Sequence, residues 1–522
     1  MLIFSTLFFV VLVATISYWY TRGTIDSADG FFLAGRSLSG TFIAGSLLLT
    51  NISAEQLIGL AGSAYAFNLS SMAWEVTAVV AIMISALILL PRYLASGMRT
   101  LPEFLGARFS SNIRTAISII FLLAYGLITI PSVLYSGSIA LLQIFFEDVD
   151  RVSSLVFTVL AVAVIGTVYA NLGGLRAVAI SDTINGIGLL FFGFLIPILA
   201  LRSIGEGSVT EGWILLTQLY PEKLNAIGSG TDPTPFLTIF TGMLFANLSY
   251  WGTNQYVIQR TLAAKSLAAG QKGVLVAGFF KLLIPFFVMV PGITAFHIYG
   301  DSLGTMDAAY PALVKEVLPN YLIGLFLAVL LGTVFSSFNS LLQSSATIVS
   351  LDLYKPEKGS DVTDRDRIKV GQYTGLAVML LGICIAPLLL DAPEGLWQVI
   401  RKFSGFYNIP VVAIVIAAIF LKGASTKGVW FVLLFHLPTY TVITFFWDSG
   451  IHFVHWYGIL FLIEISLLLI IRDHKQSTIV SRSPEVDLTP WRGRWPTVLA
   501  LCFGILVLYV LLSPLGIARE IK

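Results

Sequence analysis

The sequence predicts an all-α polytopic membrane protein with about fourteen spanning helices. Three observations carry this. Of 522 residues, 57% are hydrophobic and only 11% charged, where globular domains carry about 25% charged residues. Apolar stretches of spanning length recur along the whole chain. Lys and Arg gather in the gaps between them, mostly on one side. The net charge of +2 is too balanced for a nucleic-acid partner. The composition also excludes a disordered chain, a disulfide scaffold and a secreted enzyme. The expected surroundings are a lipid bilayer.

A helix needs about 20 mostly apolar residues to cross roughly 30 Å of hydrocarbon. In chain order the segments are 1–20, 38–65, 71–97, 114–146, 152–170, 176–202, 235–258, 270–299, 320–353, 369–390, 395–421, 428–447, 451–471 and 495–513. The first has no Lys or Arg before Arg22. A cleavable leader needs a positive region first, so this run is expected to stay as a span. With the N-terminus outside, 22 of the 31 Lys and Arg, Arg260 among them, face the cytoplasm and six the exterior, while Lys281, Arg401 and Lys402 fall within spans. Such a bias puts both termini outside the plasma (inner) membrane. The longest connector, about 203–234, reads as an external loop with a short helix through Trp213 to Tyr220, and 355–369 as a solvated cytoplasmic connector. No connector is long enough for a folded domain, so residues 1–522 are expected to form one membrane domain. Cys384 and Cys502 sit in apolar runs without Cys or His neighbours at ligand spacing and read as packing residues.

Polar residues interrupt two of the segments. The second contains Thr50-Asn51-Ile52-Ser53-Ala54-Glu55-Gln56, and the seventh runs from Gly242 through Asn247-Leu248-Ser249-Tyr250-Trp251-Gly252-Thr253-Asn254-Gln255. Taken singly, either could be a seam of interhelical hydrogen bonds. They stand five spans apart, however. Spans 2–6 (38–202) and 7–11 (235–421) make two five-helix units that an odd count inverts, with 1–20 and 428–513 peripheral. Broken helices at matching places in inverted halves point to a transport site near the midplane. The ninth span adds Thr333, Ser336, Ser337, Ser340, Ser344 and Thr347 on one face. That face reads either as a small-residue packing seam or as hydroxyl ligands for a monovalent cation such as Na⁺. The absence of a carboxylate cluster argues against a dedicated divalent site. Glu75, Lys281 and Arg401 are intramembrane charges, and Glu55 and Asp182 join them. Each costs at least about 2.5–3.5 kcal/mol near the bilayer centre, which makes each a functional candidate. Trp74, Tyr250 and Trp397 flank them and could stack on a flat solute or close a cavity.

With these residues assembled, the chain resembles the solute:sodium symporter family, on the branch of bacterial sodium/sugar cotransporters. The resemblance runs from Phe31-Phe32-Leu33-Ala34-Gly35-Arg36-Ser37 to the last spans. It is carried by Asn51-Ile52-Ser53-Ala54-Glu55-Gln56, Leu101-Pro102-Glu103-Phe104, Tyr250-Trp251-Gly252-Thr253-Asn254-Gln255 with Gln259-Arg260-Thr261-Leu262, and Ser336-Ser337. It implies fourteen spans and a LeuT-like five-plus-five inverted repeat. It also implies a sodium site made by the carbonyls of Leu49, Ile52 and Thr333 with the hydroxyls of Ser336 and Ser337. Gln56, Glu75, Asn247 and Lys281 would hydrogen-bond a sugar, and Tyr250 would be the inner gate. Leu60, Trp74 and Trp397 would form the outer gate, and Asp182 would lie on the ion's exit path. Two positions depart from the family pattern. Ala78 stands where a hydroxyl is usual, and Arg401 stands where sugar symporters present Gln.

The expected function is sodium-driven uptake of a small polar solute, most simply a sugar. A guanidinium at 401 favours carboxylate, sulfate or phosphate, so the passenger is either an anionic sugar or a neutral hexose with Arg401 paired to Glu75 or solvated. A non-sugar organic anion and a transporter-like solute sensor are the competing readings. Sodium would be a co-transported substrate, and no cofactor is expected. An intramembrane enzyme is disfavoured because His297, His436, His452 and His455 show no HExxH-type spacing.

Overall fold

The computed structural model describes residues 2–21, 27–145, 151–354, 363–390, 396–473 and 486–519. Most of the connector expected at 355–369 lies outside the described residues. Those that are described form helices joined by short connectors, with no strand beyond isolated bridges. Among the described residues ten helices are long and apolar enough to cross a membrane, and the bent pair Gly40–Asn51 and Ala54–Ala66 makes an eleventh. Shorter apolar helices occupy Phe8–Thr21 and Ser153–Thr167. The stretch expected at 235–258 is instead divided into Phe236–Phe240, Met243–Leu248, Ser249–Thr253 and the start of Gln255–Leu262. Its polar and glycine content leaves no continuous spanning helix to count. The external loop carries its short helix at Val209–Leu219, with Ser208 accepting from the Glu211 N–H as an N-cap.

Burial divides the helices. Leu69–Ala95 and Asn320–Leu353 are each 78% buried over their most apolar window, but Asp364–Leu389 only 22% and Arg494–Leu511 only 11%. The bent pair therefore runs among buried neighbours. Its first half packs on Gly174–Ile204, Leu267–Ile284 and Asn320–Ile348. Its second half packs on Val290–Tyr299 and Ile130–Phe145. A sharp break at Gly174 separates Ser153–Thr167 from Gly174–Ile204. Gly174 has φ +56°, and a Cβ there would lie 2.7 Å from the Phe31 carbonyl oxygen, so only glycine makes the turn without strain.

Candidate functional site

The first break follows from its residues. Asn51 and Ser53 are weak helix-interior residues, so the helical ladder is least favoured here. Helix Gly40–Asn51 ends at Ile52 (φ −85°, ψ 74°), Ser53 is extended (φ −90°, ψ 172°), and the next helix leaves at 54°. Carbonyls of the last turn thereby lose their helical donors. The Gln56 N–H turns to the Ser53 carbonyl instead of reaching Ile52.

The hydroxyl-lined helix Asn320–Ile348 passes this break. Ser337 donates to the Thr50 carbonyl at 3.1 Å, and the Thr50 and Ser336 hydroxyls lie 3.3 Å apart. The Thr333 hydroxyl donates to its own helix at Leu330 (2.8 Å), which leaves both the lone pairs of that hydroxyl and the Thr333 carbonyl able to face an ion. Leu49, Ile52, Thr333, Ser336 and Ser337 are all buried. A group of freed carbonyls and hydroxyls without a carboxylate suits a weakly charged, hard cation.

Asp182 lies beyond Ser336. It accepts from Ser46 at 2.5 Å and interacts with Ser336. Arg260, 3.9 Å from Asp182, donates to Ser46 at 2.6 Å and also to Ser340 and the Tyr256 carbonyl. This corrects the sequence reading, which counted Arg260 as a cytoplasmic loop charge. The side chain is 1% exposed, because Gln255–Leu262 turns back into the protein after the second break and buries all eight of its residues. Arg260 and Ser46 are site residues that hydropathy could not find. The signal for Arg260 was its place in the Gln259-Arg260-Thr261-Leu262 motif.

The second break lies where short pieces meet. Met243–Leu248 passes into a π turn at Ser249–Thr253, and Asn254 is extended (φ −76°, ψ 119°). Its fixing partners are Tyr125, which donates to Asn254 at 2.7 Å, and Asn408, which accepts from Ser249 at 3.0 Å. Neither was anticipated. Both sit a hundred or more residues from their partners in sequence, where no local pattern links them.

Between the two breaks, Glu75 pairs with Lys281, and Gln56 donates to the other oxygen of Glu75 at 2.5 Å. Asn247 donates to the Trp74 carbonyl at 3.2 Å. Arg401 does not pair with Glu75. Its guanidinium lies 4.8 Å from the Trp74 ring centroid and 4.0 Å from that of Trp397, a double cation–π contact. The indoles expected to close the outer gate therefore enclose a charge. Trp397 packs so tightly on the bent helix that a Cβ at Gly59 would sit 2.9 Å from it, one residue from buried Leu60. Tyr250 is half-buried, edge-on to Trp251 and Tyr256, and within electrostatic reach of Glu55 and Arg401.

Six buried polar atoms around this point have no partner among the described residues. They are the acceptors Asn51 Oδ1, Glu55 Oε2 and Gln56 Oε1, and the donors Trp74 Nε1, Trp397 Nε1 and Arg401 Nε. Leaving such groups unpaired costs about 1–3 kcal/mol each. Three acceptors and three donors are thus left able to pair with a guest. Above them, a cavity of about 760 Å³ opens between Asp232, Gln398, Lys402, Trp447, Phe453 and Trp456.

The chain is similar to known proteins along most of its length. The chain is 38% identical over 522 residues to the uncharacterized symporter YidK of Escherichia coli K12, covering 98% of this chain and 91% of that protein. It is 32% identical over 455 residues to the sodium/glucose cotransporter of Vibrio parahaemolyticus, covering 80% of each. Among solved structures, a Na⁺-coupled sialic acid symporter in a substrate-bound outward-open state superposes with a TM-score of 0.79 at 19% identity, over 91% of this chain and 99% of that one. That superposition establishes a shared fold. The sequence pattern described as the Sodium:solute symporter family matches residues 31–434. Spanning helices, two broken segments and that match over most of the chain make it a transporter, and it belongs to the sodium:solute symporter family.

Proposed function

We propose that this symporter couples inward Na⁺ movement to uptake of a sugar. The sodium/glucose relative supports the passenger class. The carrying observation is the set of six unpartnered donors and acceptors beside the Glu75–Lys281 pair, a mixture suited to a polyhydroxylated solute. Gln56, Glu75, Asn247, Lys281 and Arg401 bind the solute, with Tyr250 as inner gate and Leu60, Trp74 and Trp397 as outer gate. Sodium sits between Leu49, Ile52, Thr333, Ser336 and Ser337, and leaves past Asp182.

Fourteen crossings follow when the two shorter apolar helices and the divided 235–258 stretch are counted as spans. The five-plus-five inverted units 38–202 and 235–421 follow with them. Contacts support the parity. Segments assigned to the cytoplasm meet one another, as in Arg36 with Gly97, Leu38 with Ala263, Arg108 with Leu421, Thr426 with Phe109 and Leu267 with Asp487. Segments assigned to the exterior do the same, as in Lys223 with Tyr65, Asn68 with Asp232, Gln398 with Pro233 and Ala226 with Leu512. The positive-inside bias then puts both termini outside.

Coupling is local. Sodium bridging the break to Asn320–Ile348 fixes the start of Ala54–Ala66, and Gln56 lies on the first turn of that helix. Ion binding thus orders a solute ligand four residues from Ile52. A potential of about 100 mV contributes roughly 2.3 kcal/mol per charge, and a tenfold Na⁺ gradient adds about 1.4 kcal/mol. That sum supports accumulation on the order of several hundred-fold.

The unpartnered Nε of Arg401 favours one refinement, a passenger bearing an acidic group. Uptake into proteoliposomes, comparing neutral sugars, uronates and sulfated sugars with and without Na⁺, tests both readings. Sodium-independent uptake, or Li⁺ or H⁺ replacing Na⁺ without loss, would sink the coupling ion. Arg401→Gln is expected to reduce uptake of acidic sugars by about tenfold or more, the worth of one charge-assisted hydrogen bond. An unchanged preference between acidic and neutral sugars would remove the acidic passenger.

A further inference from the structure

A groove of about 550 Å³ lies under the start of the last helix, Arg494–Leu511. Its walls are Leu87, Ile88, Pro91, Leu267, Leu488 and Pro490, and its mouth carries Gln271, Arg494 and Trp495. No carboxylate lines it. The segment leading in, Trp491-Arg492-Gly493-Arg494-Trp495, alternates indoles and guanidiniums around one glycine and has no part in the transport site.

This segment is pinned rather than loose. The Leu267 N–H donates to the Asp487 carbonyl at 2.8 Å, and the Trp491 N–H donates to Gln271 Oε1 at 2.8 Å. Gln271 in turn donates to the Ala86 carbonyl at 3.1 Å. The Trp491 ring lies over Gly493, where a Cβ would come within 2.5 Å of it. Arg494 spends one N–H on the Trp491 carbonyl at 2.9 Å and is half-buried, while Trp495 is 56% exposed.

We infer that this groove binds an anionic phospholipid, with an acyl chain along Leu87, Ile88 and Leu267 and the phosphate on Arg494. The chemistry selects that occupant. Apolar walls between spanning helices suit an acyl chain, Trp at the water–lipid boundary marks headgroup depth, and an Arg without an ion-pair partner among the described residues selects negative charge. The groove also lies at the Lys- and Arg-rich end of the protein, and the cytoplasmic leaflet holds the anionic lipids. The last helix packs on the helix bearing Lys281, with Leu501 against Gly278 and Leu282 against Gly504, so the lipid wedges beside a solute-site helix.

The test is native mass spectrometry of the delipidated, purified protein titrated with dioleoyl-phosphatidylglycerol, with dioleoyl-phosphatidylcholine as the zwitterionic control. Wild-type protein should retain one phosphatidylglycerol that Arg494→Gln holds about fivefold more weakly, the worth of one arginine at a charged surface. Leu87→Trp, which fills the groove and keeps both arginines, should lose the same lipid. Inorganic phosphate alone should give no thermal protection. Equal retention by wild type and both variants overturns the proposal, as does phosphatidylcholine held as tightly as phosphatidylglycerol. Loss in Arg494→Gln with retention in Leu87→Trp also overturns it, since the phosphate contact would then lie outside the groove. Lipid counting involves no transport, so either result leaves the sugar assignment untouched.

Discussion

Glu75 and Lys281 are 1% and 4% exposed, and neither charge is tolerable there without the other. Removing one partner of a buried ion pair costs about 3–5 kcal/mol, because the survivor is left uncompensated. Lys281→Met should therefore lower the thermal unfolding temperature more than Glu75→Gln and Lys281→Met combined. A double variant as unstable as the single one would show that the pair is not what holds this region. At the outer end, His452 donates through Nε2 to the Pro233 carbonyl at 3.2 Å while Nδ1 caps the Val454 N–H. Burial lowers its pKa from 6.5 to about 4. Below pH 6.5 the unfolded chain takes up a proton that the folded chain refuses until about pH 4. The stability contribution is thus complete above pH 6.5 and declines as pH falls toward 4. Replacing His452 with Gln should flatten that part of the melting-temperature profile, and identical slopes for the two proteins would refute the assignment.

Among elements, the break at Ile52–Ser53 and the hydroxyl face of Asn320–Ile348 depend on each other. Ser337→Ala removes one of the proposed ion's two hydroxyl ligands without disturbing helix formation. It should raise the Na⁺ concentration for half-maximal uptake by about tenfold, one lost hydroxyl contact, and leave solute affinity at saturating Na⁺ little changed. Unaltered sodium dependence would move the ion elsewhere. The helices Thr426–Phe445 and Phe453–Ile470 hold the Arg401 helix by a second device. His436 lies 2.5 Å from Glu464 and 3.1 Å from the Gly405 carbonyl, all within the interior. Tyr440 and Tyr457 donate to the carbonyls of Lys402 and Arg401. His436→Leu strands the Glu464 carboxylate and should cost about 3–5 kcal/mol, read as a lower unfolding temperature. His436→Leu with Glu464→Leu should recover most of it, and a double variant less stable than the single would exclude the pairing.

For the whole molecule, the segments from 38 to 421 contain the proposed binding residues, and burial is highest along the helices that carry them. Much of this was legible in advance. Thr50 to Gln56 is too polar for an uninterrupted span, and the steps of three and four from Thr333 to Thr347 could only be one helical face. Glu75 and Lys281 announced themselves as charges without water. Arg260 did not, because hydropathy assigns a charge near a span's end to solvent, and only the backward turn at Asn254 carries it inside. The partnership of Arg401 was equally hidden. Its position in the eleventh span was evident, but which of several anions or rings it would meet depends on helix rotation.

Periodicity and transfer energy act within a span, so the chain alone determined that this is a helical membrane protein with two interrupted segments, a hydroxyl face and buried charges. Pairings between spans hundreds of residues apart arise only from packing. The tertiary structure therefore decided that Glu75 meets Lys281 and Gln56, that Arg401 rests between two indoles, and that Asp182 faces a buried arginine. Sequence reports the cost of burying each group. The fold determines which neighbour offsets it.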